Sequence, residues 1–318
     1  MGRSEEPVRP YGTLVRGLRT AAAVLLTGLA ATACGAPAGH PEDDPPVDAR
    51  NPEARAAIAR YRGAPAQALA YAAWRESRAY GKRLATARRW GLADAPLMRP
   101  PAPAVKPRLT TEPGFEANDG APDLPPVITK VPTTDRVIFL TIDDGNRKDP
   151  ELIRMMSELD IPYSAFLSDF LAREDYGYFH RMRDAGVTLN NHTINHPNLR
   201  LMSYEAQRAE ICGQQSRLEK EFGTAPRLFR PPFGNYNGDS LRAAKSCGVE
   251  VVPLWQEEAF ADHWDYRRGS RHFEPGDIVL IHFRGRDEWP GEMPDVVRLV
   301  LKKANEEGFA LARLEDYI

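Results

Sequence analysis

The sequence predicts an α/β fold, a parallel sheet closed or nearly closed into a (β/α) barrel, behind a helical, proline-rich amino-terminal extension. Three observations carry that expectation. From Arg136 onward short apolar runs alternate with helical patterns, the order that produces parallel strands joined by crossover helices. The residues of unusual chemistry fall at or just past the carboxyl ends of those runs, where α/β barrels assemble their sites. The chain of 318 residues has a formal net charge of only −2 and ordinary apolar content, so it can bury a full core and has no basic excess to attract nucleic acid.

Residues 1–33 read as a secretory leader. Ala21 to Ala33 is almost wholly apolar but too short for the ~20 residues of a membrane span, and Arg16 and Arg19 precede it. The small residues of Leu29-Ala30-Ala31-Thr32-Ala33-Cys34-Gly35 look like a lipoprotein cleavage site, with Ala31 where that motif prefers Leu. The mature protein would begin at a lipid-modified Cys34, extracellular and anchored to a bacterial cell membrane; ordinary cleavage leaving a free Cys34 is the alternative. Because the leader before Arg16 is long and carries Glu5 and Glu6, Val15 is a second candidate start.

Residues 34–92 form an Ala- and Arg-rich segment, helical over much of Asn51 to Gly91, with Arg75, Arg78, Lys82, Arg83, Arg88 and Arg89 making its second half basic. That face is either simply solvated or a contact for anionic lipid or wall polymer. Residues 93–135 hold prolines at 96, 100, 101, 103, 107, 113, 122, 125, 126 and 132 and read as an extended, poorly packed linker, or as an arm wrapped on the domain.

Residues 136–318 are the expected catalytic domain. Strands are expected at Val137 to Ile142, Tyr163 to Leu167, Val187 to Asn190, Arg227 to Arg230, Val249 to Leu254, Ile278 to His282 and Phe309 to Leu314. Helices are expected at Pro150 to Leu159, Tyr176 to Ala185, Ser203 to Phe222, Asp239 to Cys247 and Met293 to Glu307. In an oxidising compartment Cys212 and Cys247 read as one disulfide or as two buried thiols. Their helices belong to successive β/α units and so are expected to be neighbours, which favours the disulfide.

The chemistry centres on Leu140-Thr141-Ile142-Asp143-Asp144-Gly145. Adjacent carboxylates at the end of an apolar strand repel and resist desolvation, so they need a cation, an arginine or water to compensate them. Asp144, His192 and His196 form a two-His, one-carboxylate set suited to Zn²⁺ or another divalent first-row metal, with positions left for water and substrate. Pro197 disfavours helical geometry at His196, which places the His pair on a loop after a strand. Asp143 is then free to act as a base. Arg230, stiffened by Pro231 and Pro232, can keep Asp143 ionised. The turn Phe233-Gly234-Asn235 offers backbone N–H groups to an oxyanion, and His282 at a strand end is the natural general acid. His40, His180, His263 and His272 lack such company.

The order T-I-D-D-G, H-T-x-x-H, R-P-P-F-G-N-Y-N and L-x-H before a closing helix and strand resembles the polysaccharide deacetylase family, carbohydrate esterase family four, over Arg136 to Ile318. The resemblance implies a distorted (β/α) barrel, complete or incomplete, and metal-dependent removal of acetyl groups from N-acetylated, less often O-acetylated, sugars. It implies Asp143 as base, Asp144, His192 and His196 as metal ligands, Arg230 as the arginine behind the base, His282 as acid and Leu280 as a lining of the acetyl pocket. Thr141-Ile142 replaces the usual Thr-Phe and Phe233 a common Tyr. The fourth motif, an Asp-Trp pair, is not clean: Trp255 with Glu257 and Glu258, or Asp262-His263-Trp264, stand in for it. A carboxylate partner for His282 is therefore expected from Glu258 or Asp262. The expected function is a monomeric, surface-anchored deacetylase of cell-wall or chitin-like glycans. A hydrolase of another amide or of O-acetyl esters such as acetylated xylan, and a non-catalytic glycan-binding lipoprotein, are the competing readings.

Overall fold

The computed structural model describes residues 66–117 and 123–318, so the leader and the lipidation site Cys34 lie outside the described residues. A long helix, α1 (Ala66–Arg89), is followed by the proline-rich stretch and a short strand, β1 (Val127–Ile128). The domain then runs β2 (Val137–Asp144), α2 (Pro150–Glu158), β3 (Ser164–Leu167), α3 (Asp169–Ala172), α4 (Tyr176–Asp184), β4 (Thr188–Asn191), α5 (Tyr204–Phe222) and α6 (Gly238–Ser246). It closes with β5 (Val252–Pro253), β6 (Glu257–Ala259), β7 (Trp264–Tyr266), β8 (Ile278–His282), α7 (Met293–Glu307), β9 (Ala310–Leu311) and α8 (Leu314–Tyr317).

The main sheet has the order β4-β3-β2-β8-β6-β7, with β9 also paired to β2. It is parallel except for β7, which runs antiparallel to β6. β2 is buried along its whole length because sheet neighbours and helices cover it, which is why it reads as an unbroken apolar run. The register sets Asp143 opposite His282 and opposite Phe166, so the strand ends that bear the polar residues lie side by side. Caps place the helices as expected: Asp149 accepts from Glu151 N at the start of α2, Ser203 caps α5, Asn237 caps α6, and Gly223 ends α5 at φ +83°.

The span Arg227 to Arg230, expected as a strand, makes only single bridges, Asn191 with Phe229 and Leu228 with Val251. Pro226, Pro231 and Pro232 flank it, and proline gives a ladder no donor. β6 and β7 were not foreseen.

Of the two readings of the proline-rich stretch, its described part follows the arm wrapped on the domain and not the poorly packed linker. Leu92 and Ala95 are buried with Ala87 of α1 and Trp90 just past its end, in the cluster that joins the sheet to α2, α4 and α7. The Asn305 side chain clamps the stretch, donating to the carbonyl of Ala95 and accepting from Leu97 N, and Lys106 donates to the terminal backbone oxygen of Ile318 at 2.6 Å. β1 pairs in parallel with β5, and Val127, Ile128 and Val131 are buried. A proline-rich chain has few donors to satisfy, so it can lie along a domain held by its carbonyls and apolar side chains. The basic residues Arg75, Arg78, Lys82, Arg88 and Arg89 of α1 are exposed. Among the described residues no helix is long and apolar enough to cross a membrane.

The structure joins Cys212 of α5 to Cys247 at the end of α6 in a disulfide, with their Cα atoms 5.0 Å apart. The loop it closes contains Arg230 and the Phe233 turn.

Candidate metal centre and active site

Neighbouring residues on a regular strand point to opposite faces. Asp143 and Asp144 escape that rule because Asp144 has a left-handed backbone, φ +86°, which turns its carboxylate to the side Asp143 already faces. Six non-glycine residues have positive φ among the described residues, and four of them are Asp144, Thr193, His196 and Phe233. Each such backbone costs of order 1–3 kcal/mol, so their concentration here marks a site built against local preference.

The His loop is braced from both ends. Asn191 Oδ1 accepts from Thr193 N at 2.8 Å, while the Asn191 amide donates to the Ile211 carbonyl and to Gln215. Glu210 of α5 accepts from the backbone of Ile194 and Asn195 and from the Asn195 side chain. Thr193 Oγ1 accepts from His196 N at 3.1 Å, and Pro197 keeps His196 out of the right-handed helical region as expected.

Asp144, His192 and His196 bring three ligand atoms within 4.8 Å of one another. Asp144 Oδ1 is 3.7 Å from His192 Nε2 and 3.3 Å from His196 Nε2, yet it is buried and makes no hydrogen bond. His192 Nδ1 lies 2.7 Å from the carbonyl of Arg230, which can only accept; Nδ1 therefore carries the hydrogen and Nε2 presents a lone pair to the carboxylates. Burial pushes both imidazoles down to about 4, so each is held in the neutral, metal-binding form. A buried lone pair facing an unpartnered carboxylate oxygen is repulsive unless a cation lies between them, and the donor set fits a divalent metal.

Arg230 is fully buried and every arm of its guanidinium is used. Nη1 donates to Asp143 Oδ1 at 2.8 Å and to Thr141 Oγ1, Nε to the Pro253 carbonyl and Nη2 to the Leu254 carbonyl, with the Phe166 ring 4.3 Å below. The two carboxylates are driven apart by their surroundings. Burial raises Asp143 above its ordinary value although Arg230 and His282 oppose it. Burial also opposes ionisation of Asp144, but His282, His192, His196 and Arg284 outweigh it and hold that carboxyl below the ordinary range. One is tuned to accept a proton and the other to stay charged.

His282 ends β8, and its Nδ1 lies 3.3 Å from Glu258 Oε1. Of the two expected partners the structure places Glu258 there; Asp262 is exposed and bonded to His263 instead. Burial lowers His282, and burial raises Glu258 to about 7. Leu280 is buried on β8 between Thr141 of β2 and Glu258 of β6. Phe233 is 61% exposed at the mouth, its ring edge-on to His196 at 4.7 Å. The amides of Gly234 and Asn235 are taken by the carbonyls of Pro231 and Pro232, so of that turn only Phe233 N–H remains as an oxyanion donor. Trp255 lies against Gly234, whose φ of +65° and lack of a Cβ allow the approach. His180, His263 and His272 pair with Glu221, Asp262 and Glu307, away from the site.

Sequence reasoning missed Arg284, which donates to Asp144 Oδ2 at 3.1 Å and also pairs with Glu288. Its nearness to His282 in the chain was the only available signal. Glu210 and Asn191 were missed because their work is on backbone groups that no motif displays.

A family model described as polysaccharide deacetylase matches residues 130–252. An uncharacterized protein of Streptomyces coelicolor is 39% identical over 220 residues, 68% of this chain and 86% of that protein. The peptidoglycan-N-acetylmuramic acid deacetylase PdaA of Bacillus subtilis is 25% identical over 196 residues, 58% of this chain and 72% of that protein. Among solved structures, a wild-type pseudoenzyme of carbohydrate esterase family four from Bacillus anthracis matches with a TM-score of 0.51 at 20% identity, over 61% of this chain and 69% of that one. A mutant of it with restored enzymatic activity gives 0.52 at 22%, over 61% and 71%. The structural likeness shows a shared fold; with the sequence matches and the motif order, it establishes that this chain belongs to the polysaccharide deacetylase family, carbohydrate esterase family four.

Proposed function

We propose that this protein hydrolyses N-acetyl groups of cell-wall or chitin-like glycans as a metal-dependent deacetylase. The observation that carries this reading is the convergence on one strand-end cleft of a three-ligand set, Asp144, His192 and His196, with a carboxylate outside that set, Asp143, locked to Arg230. A binding module needs no such second carboxylate, and fold alone would not decide between binding and catalysis.

A divalent cation, which the ligand set suits as Zn²⁺, would supply Lewis acidity to lower the pKa of water and polarise the acetyl carbonyl. Asp143 takes the proton from the attacking water, and its raised pKa makes it the better base. Arg230 holds that carboxylate in place and leaves it negative between turnovers. Phe233 N–H faces the charge that develops on the carbonyl oxygen. His282, supported by Glu258, delivers a proton to the departing amine nitrogen as the C–N bond breaks; its lowered pKa makes the imidazolium a stronger acid. Leu280 lines the space for the acetyl methyl group. The protein acts outside the cell on this reading, held at the membrane by lipid on Cys34.

The test is acetate release from N-acetylglucosamine oligomers, peptidoglycan and acetylated xylan, with and without a chelator. Chelator-sensitive release from either of the first two supports the reading. Release from xylan alone would make the protein an O-acetyl esterase.

A further inference from the structure

Arg267 follows β7 and is exposed. Its guanidinium lies over Trp255, 4.3 Å from the ring centroid, with Phe115 of the amino-terminal arm 5.9 Å away. Trp255 has the buried Arg230 on it as well, at 5.7 Å, so one indole separates Arg267 from the arginine behind the base. Arg267 Nη2 comes within 3.3 Å of where a Cβ on Gly234 would stand, and Gly234 follows Phe233, whose ring covers His196. The mouth of the site thus carries a guanidinium two contacts from a metal ligand.

That guanidinium makes no hydrogen bond or ion pair with any described residue; its backbone N–H donates to Gln256. The arginines around it are used differently. Arg230 is saturated by Asp143 and backbone carbonyls, Arg268 pairs with Glu257, Glu274 and Asp277, and Arg284 with Asp144 and Glu288. Glu258 and Glu112 lie close by, yet neither pairs with Arg267. Contact with the Trp255 ring restricts the guanidinium and removes part of the entropy cost of ordering it, while its N–H donors have no protein partner among the described residues. An oriented, unpaired guanidinium matches a planar carboxylate through parallel N–H···O bonds.

We propose that Arg267 is a specificity-determining residue that binds a carboxylate of the glycan, so that the site prefers N-acetylated glycans carrying carboxylates to neutral ones. This inference rests on the deacetylase reading above. A hydrogen-bonded charge pair of this kind corresponds to about a 10- to 100-fold difference in kcat/KM.

The experiment compares peptide-free peptidoglycan oligosaccharides having free carboxylates with the same oligosaccharides capped as neutral methylamides, using the metal-loaded enzyme. N-Acetylglucosamine oligomers serve as a separate check on deacetylation itself. The wild type is expected to favour the free acid by about 10- to 100-fold, Arg267→Gln to collapse that ratio towards one, Arg267→Lys to keep part of it and Arg267→Glu to invert it. A wild-type ratio near one, or an unchanged ratio in Arg267→Gln and Arg267→Glu, overturns the proposal while leaving the deacetylase reading standing. Absence of acetate release from all three substrates overturns both.

Discussion

Arg230 reaches both halves of the site at once: its side chain donates to Asp143 Oδ1 at 2.8 Å, and its own carbonyl accepts from His192 Nδ1 at 2.7 Å. One residue therefore fixes the position of the proposed base and the tautomer of a proposed metal ligand. The Cys212–Cys247 disulfide closes the loop in which it sits, and Pro231 and Pro232 restrict the backbone that follows it.

Arg230→Gln should lower activity and move the acidic limb of the kcat/KM profile to higher pH. Burial already raises Asp143 and Arg230 opposes it, so removing the cation raises that pKa further and the base is deprotonated only at higher pH. Breaking a buried pair also costs about 3–5 kcal/mol, which urea unfolding would read. Arg230→Lys keeps the charge and the backbone carbonyl, and its acidic limb should move less.

Glu258→Gln should lower the rate and move the basic limb downward. Glu258 Oε1 lies 3.3 Å from His282 Nδ1, and wherever Glu258 is ionised it favours the imidazolium; the neutral amide cannot, so the protonated acid is lost at lower pH. Asp262→Asn should change neither, because Asp262 is exposed and bonded to His263. An effect of Asp262→Asn with none from Glu258→Gln would reverse the assignment.

Reducing the Cys212–Cys247 disulfide should cost about 2–4 kcal/mol of stability, with activity falling in step because the closed loop carries Arg230 and Phe233. Alkylation of unfolded, unreduced protein should label neither cysteine. Two modified residues at these positions would remove the bridge from the account.

What the sequence displays and what it hides separate along physical lines. β2, β8 and α7 are legible because their apolar runs, caps and prolines agree with one another, and β8 and α7 have the expected bounds. β6 is not, since Glu257 and Glu258 make it look like a polar loop. Both carboxyls meet partners distant in the chain: Arg268 pairs with Glu257, and His282 lies 3.3 Å from Glu258. The proline-rich arm hides its packing in the same way, being held by Asn305 and Lys106 rather than by a periodic apolar face. The proposed metal triad and Arg230 are readable as motifs because the proposed chemistry needs those residue types in that order. Arg267 and Arg284 belong to no pattern, and only the fold shows that one is unpaired and the other bound to Asp144.

The division of labour between adjacent carboxylates is tested most directly by measuring bound metal and acetate release together in Asp143→Asn and Asp144→Asn. Asp143→Asn should keep one equivalent of metal while turnover falls by about 10²–10⁴-fold, and Asp144→Asn should lose both. Near-normal acetate release from metal-loaded Asp143→Asn, or full metal retention in Asp144→Asn, would contradict the account.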